Sequence, residues 1–79
     1  MMTNLKETLQ EINRLEKDNK QYKITVKGYT RNETLTRVYD MELGAKCWFE
    51  GTCGDELLKD EVLSILKKGI DFTIEVFNG

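Results

Sequence analysis

The chain contains no histidine and no proline, and among its 79 residues there are only two cysteines and one tryptophan. Without histidine there is no Ser–His or Cys–His nucleophilic pair, no imidazole to shuttle a proton, and no zinc site that draws on an imidazole ligand. Cys47 and Cys53 stand in a C-x5-C spacing. Two thiolates close a tetrahedral zinc site only with carboxylates or a second copy of the chain. Long apolar runs are missing too, since no window approaches the ~20 apolar residues of a membrane span. The opening "MMTNLKETLQEI" lacks the basic stretch and following apolar run of a secretory leader. The expectation is a cytoplasmic protein with reduced thiols and no membrane partner. Charge of one sign is also scarce. Twelve Lys and Arg against 14 Asp and Glu leave a net charge of -2, which withholds the global positive field that non-specific nucleic-acid binding draws on.

What is present is the composition of a packed domain, 39% apolar and 33% charged, with no linker, repeat or low-complexity tract. Residues 1–79 read as one small α+β domain. Met2, Leu5, Leu9, Ile12 and Leu15 recur at helical spacing and predict an amphipathic helix over 5–17, opened by a capping box of Asn4 and Glu7 and closed at "KDNK", where Asn19 suits a left-handed cap. Tyr22, Ile24 and Val26 alternate with Lys23, Thr25 and Lys27 and predict a strand over 22–28, ended or bulged at Gly28. After a turn over Arg31, Asn32 and Glu33, a second strand is expected over 34–43 with Leu35, Tyr39, Met41 and Leu43 on one face; Arg37 and Val38 interrupt the alternation and suggest a bulge or a face switch. "LGAK", 43–46, reads as a tight turn into a short third strand over 46–50. A helix over 55–68 is expected next, capped by Asp55, closed by "KKG" at Gly69, and inward-facing through Leu58, Val62, Ile65 and Leu66. Ile70, Phe72, Ile74 and Val76 then alternate with Asp71, Thr73 and Glu75 in a last strand over 70–77. The order is α-β-β-β-α-β. Single apolar faces on all strands call for a four-stranded, mostly antiparallel sheet with both helices on one side.

No constellation in this pattern carries catalysis, a cofactor or a metal. Cys53 lies between glycines before the second helix, where free amides favour a thiolate, but Glu50, Asp55 and Glu56 oppose that shift, and a structural thiol at the corner is the better reading. "GTCG" has the outline of a phosphate-binding turn, but "DELL" follows it instead of the Lys and Ser/Thr of a P-loop. Asp55, Glu56, Asp60 and Glu61 read as a solvated helix face, and Cys47 as a small buried side chain.

Surface is what remains. Trp48 points away from Cys47 and Phe49, and Tyr29 and Phe77 sit at strand ends; together with Lys23 and Lys27 they form the expected partner-binding set, with the aromatics as anchors. The alternative for Trp48 is closure of the core's edge. The chain is expected as a monomer, or as a homodimer pairing the stripe Met2, Leu5, Leu9 and Ile12. The function that follows is binding of a protein partner as an accessory or inhibitor, without enzymatic activity. A nucleic-acid-binding regulatory module using Lys20, Lys23, Lys27 and Arg31 is the alternative.

Two resemblances bear on this. The element order over 5–68 resembles the double-stranded-RNA-binding domain, whose second helix begins with a basic run; here that place holds the acidic "GDELLKDE". The short polar helix, the strand "NKQYKITVKGYT" over 19–30, the returning strand and the helix ending in "KKG" look like the compact proteins of phages and mobile elements, among them the small anti-CRISPR inhibitors of Cas9. That resemblance implies a helix, three-strand and helix layout and a host defence nuclease as partner.

Overall fold

The structure is a computed structural model and describes residues 4–51 and 56–77. Its elements are α1 (Leu5–Lys17), β1 (Gln21–Lys27), β2 (Asn32–Asp40), β3 (Ala45–Glu50), β4 (Glu56–Leu57), α2 (Lys59–Lys67) and β5 (Asp71–Phe77). The α+β class and the antiparallel pairing agree with the sequence reading. The sheet, however, has five strands instead of four, in the order β4-β3-β2-β1-β5.

α1 begins as its sequence dictates. Asn4 Oδ1 accepts from the Glu7 amide at 2.8 Å and its Nδ2 donates to Glu7 Oε1 at 3.1 Å. At the far end Asn19 takes the left-handed conformation (φ 57), while its amide donates to Glu16 O and the Lys20 amide to Leu15 O. These two bonds satisfy carbonyls that the helix leaves open. Leu15 is buried, and Leu5, Leu9 and Ile12 pack against the core. The expected dimer stripe is therefore largely spent inside the molecule; Met2 lies outside the described residues.

Register places the side chains in rows across the sheet. On the helix-covered face one row runs Val76, Tyr22, Arg37, Trp48, Leu57, and the next runs Ile74, Ile24, Leu35, Glu50. The core gathers Leu15, Tyr22, Ile24, Val26, Leu35, Trp48, Val62, Leu66 and Phe72, contributed by both helices and four strands. Burying each such side chain contributes about 1.5–3 kcal/mol. On the open face the row Glu75, Lys23, Thr36, Phe49, Glu56 crosses all five strands.

β2 departs from its expected form at three points. It begins at Asn32, not at 34, because Asn32 and Glu33 already pair with Lys27 and Val26 of β1. There is no bulge or face switch at Arg37 and Val38, because the ladder to β3 runs unbroken past both and the ladder to β1 holds its register up to Arg37. Arg37 simply takes its turn on the helix side, where a carboxylate from α1 meets it. The strand also ends at Asp40, not at 43. Asp40 Oδ1 accepts from the amides of Glu42 and Leu43, and the Gly44 amide donates to Asp40 O with Gly44 at φ 69. An Asx turn has replaced the last three residues of the expected strand. Met41 and Leu43, read as inward, are exposed at 89% and 60%, and Glu42 is in the turn, not on the sheet.

The second helix starts later than expected. Glu56–Leu57 pairs with β3, Trp48 opposite Leu57, and only after Leu58 does the chain turn helical. Leu58 is the capping residue and is exposed, not inward; its amide donates to Glu61 Oε1 at 3.0 Å, half of a capping box. Glu56 therefore cannot share a helical face with Asp60. Asp55, Cys53 and the "GTCG" turn, apart from Gly51, lie outside the described residues.

At the other end of α2, Gly69 does not need a left-handed backbone. A Cβ there would fall onto Val26 Cγ1 and lie 2.8 Å from Phe72 Cε1, both on buried side chains. Glycine is required because the helix exit presses against the core. Gly69→Ala is expected to destabilise by about 1–3 kcal/mol through overpacking. Urea unfolding checks this: the midpoint should fall while the slope is unchanged.

Candidate binding surface

The most organised polar cluster lies on the helix side of the sheet. Glu16, near the end of α1, faces Arg37 of β2 and Lys46 of β3. Arg37 Nε and Nη2 each lie 3.0 Å from Glu16 Oε1, and its Nη1 donates to Lys46 O at 3.0 Å. Lys46 Nζ stands 3.4 Å from Glu16 Oε2 and donates to Lys20 O at 3.2 Å. Arg37 Cζ also sits 5.5 Å from the Trp48 ring centroid, in cation–π range, and Trp48 meets Tyr22 edge to face at 5.5 Å.

Burial by itself would raise the Glu16 pKa, but the Arg37 hydrogen bonds and charge, aided by Lys46, outweigh it and hold the carboxyl below the usual range. The neighbouring Tyr22 phenol is pushed upward by burial and by the Glu16 charge. Its hydroxyl makes no hydrogen bond among the described residues. Each of the three Arg37 guanidinium nitrogens faces an oxygen, so the cluster ties α1 to the sheet; it is not an open anion site.

Beside it a groove of about 420 Å³ runs between α1 and α2, with Leu9, Ile12, Trp48, Leu57, Val62 and Leu66 on its walls. A second hollow of about 610 Å³ opens at the β1–β2 turn, near Tyr29, Arg31 and Lys68. No three His, Cys, Asp or Glu side chains converge as a metal site among the described residues. Cys47 is buried, and burial together with the Glu56 and Asp40 charges raises its pKa, which disfavours a thiolate.

The expected partner-binding set does not come together. Trp48 is 9% exposed and belongs to the core, so the core-closing alternative describes it and the exposed anchor does not. Tyr29 is 87% exposed at the β1–β2 turn, whereas Phe77 is half-buried at the opposite end of the sheet, across from Gln21. Lys23 is engaged with Glu75 at 3.1 Å, and Lys27 is exposed across from Asp71. Of the cations that would serve a nucleic acid, Lys23 is thus neutralised, and so is Arg31, 2.8 Å from Glu33.

Sequence reasoning set the β2–β3 turn two residues late, at 43–46 where the chain turns over 41–44, and so missed the apolar side chains it exposes. Tyr39, Met41 and Leu43 are 54%, 89% and 60% exposed within five residues. Their backbone is held by Asp40 and Gly44 and, at Tyr39, by the amide donating to Gln21 Oε1 at 2.9 Å. The signal that could have found it is Asp40 followed by Gly44, a turn signature that outranks continued alternation.

Among the described residues no helix is long and apolar enough to cross a membrane. No protein-family model, curated protein or solved structure matches the chain.

Proposed function

We propose that this protein works by binding a protein partner and performs no catalysis. The observation that carries the reading is the β2–β3 turn, where Met41, Leu43 and Tyr39 stand in solvent on a fixed backbone. Large apolar side chains exposed together on a small domain mark interaction surfaces, and a rigid turn lowers the ordering cost of using them. Tyr39 adds a flat aromatic face of the kind that anchors interfaces. The likeness of the chain to small phage-encoded inhibitors points to a host defence nuclease, Cas9 among them, as the partner class.

The test is a panel of purified defence nucleases, Cas9 included, assayed for binding and for slowed cleavage with the wild-type chain and with Met41→Asp/Leu43→Asp. Wild type is expected to bind and inhibit one of them. The double variant should lose about tenfold or more in affinity with stability within about 0.5 kcal/mol of wild type, as for exposed positions generally. Absence of binding and inhibition across the panel overturns the inhibitor reading. Equal affinity in the double variant removes the turn from the interface.

A further inference from the structure

The two edges of the sheet are unlike. β4 is two residues long, so one edge is already blunt. β5 is seven residues long, its ladder to β1 runs without interruption from Asp71 to Phe77, and no described strand lies beyond it. In an antiparallel strand every second residue turns its N–H and C=O away from the neighbour, so β5 presents a row of open backbone groups. Edges of this length are usually protected by charged side chains, lysine above all, by proline or by a bulge; "DFTIEVF" has no lysine, proline or bulge, and its two charges are the acids Asp71 and Glu75.

Side-chain chemistry says what fits there. On the open face of the sheet β5 carries Asp71 and Glu75, four residues apart, and β1 answers them from its own side with Lys27 and Lys23 in register. Lys23 Nζ reaches Glu75 Oε2 at 3.1 Å, yet the Glu75 side chain keeps 63% of its surface in solvent. The other face of β5 offers Phe72, Ile74 and Val76. Val76 is 40% exposed and Ile70, just before the strand, 41%, so the apolar row is incompletely covered at this edge.

We propose that β5 is a strand-addition site for a lysine-bearing extended segment of a partner protein. The segment joins antiparallel as a sixth strand and mirrors β1, with lysines four residues apart facing Asp71 and Glu75 and β-branched side chains between them facing Phe72 and Ile74, as Val26 and Ile24 do from β1. This inference rests on the protein-binding role proposed above. Main-chain hydrogen bonds supply affinity in this mode and the alternate side chains supply selectivity. A second copy of the chain fits less well: an antiparallel β5–β5 pair gathers the Asp71 and Glu75 carboxylates of both copies on one face.

The probe is a doubly blocked peptide of the β1 sequence QYKITVK, titrated to about 1 mM, the range of weak complexes, into the isotopically labelled full chain. Amide shifts are recorded at low salt. Saturable shifts centred on β5 are expected, with about tenfold weaker binding for a peptide in which both lysines are glutamate, and similarly weakened binding to Asp71→Asn/Glu75→Gln. Shifts centred elsewhere, none at the highest concentration, or equal affinity for both peptides overturn the assignment. So does a diffusion coefficient of a dimer without peptide, which would give the edge to a second copy. The titration needs no natural partner: loss of the edge would leave the Met41 and Leu43 readout standing, and an inactive nuclease panel would overturn the inhibitor reading while these shifts still report on the edge.

Discussion

Trp48→Ala is expected to destabilise the fold by about 3–5 kcal/mol, the usual cost of deleting a large aromatic from a core. At about 0.05–0.15 kcal/mol per residue the whole domain has only about 4–12 kcal/mol to lose, so the variant should give up a large share of its stability and melt well below wild type. The magnitude follows from position. Trp48 is 9% exposed, meets Tyr22 edge to face, lies under the Arg37 guanidinium and stands opposite Leu57. Removing the indole withdraws support from β2, β4 and both walls of the groove together. Circular dichroism during heating checks this. A cooperative transition within a few degrees of wild type would show that the indole is dispensable to the core. Any partner binding lost in this variant would then report on folding, whereas Met41→Asp/Leu43→Asp isolates the surface.

Arg37→Ala should cost about 2–3 kcal/mol. Breaking a well-buried ion pair costs about 3–5 kcal/mol because the partner is left uncompensated. Here the Arg37 and Glu16 side chains keep 21% and 29% of their surface in solvent and Lys46 remains beside the carboxylate, which places the effect below that range. A double-mutant cycle of Arg37→Met with Glu16→Gln should return a coupling energy of about 1–2 kcal/mol. The same pair leaves a mark in pH. The pKa of Glu16 is lowered in the folded state: burial opposes this, but Arg37 and Lys46 overcome it. In acid the unfolded chain thus holds more protons on this group than the folded one. The stabilisation is complete above the unfolded value, about 4.3, and is lost as pH falls through the lowered folded value. In Arg37→Met the acid limb of the stability profile should flatten. An unchanged limb would show that the loss in acid comes from other carboxylates.

Much of the fold was legible because its rules are local. Asn4, Glu7 and Asn19 encode both ends of α1 in the residues that make the hydrogen bonds. β1 and β5 alternate cleanly because each has one covered face. The misreadings occur where a distant residue decides. Glu56 and Leu57 suit a first helical turn by composition, yet pairing with Trp48 and Phe49 holds them extended. Arg37 reads as a fault in an apolar face until Glu16, far away in sequence, supplies a carboxylate. Alternation showed that Cys47 and Trp48 point oppositely but not which side the helices cover, and the choice of anchor turned on that. Tyr29 was placed in solvent correctly, while the apolar tip at Met41 and Leu43 was hidden by an alternating pattern that continues through the turn.

The strand order also sets the sequence of folding events. β1 to β4 form a meander whose neighbours in space are neighbours along the chain, so each pairing closes a short loop. β5 must instead return past α2 and find β1, with Phe77 reaching Gln21 and Asp71 reaching Lys27. Loop-closure entropy makes such distant pairings slower to form. The nascent chain thus completes this sheet only when β5 arrives, and until then β1 itself is the open edge, with Lys23 and Lys27 still waiting for the acids of β5.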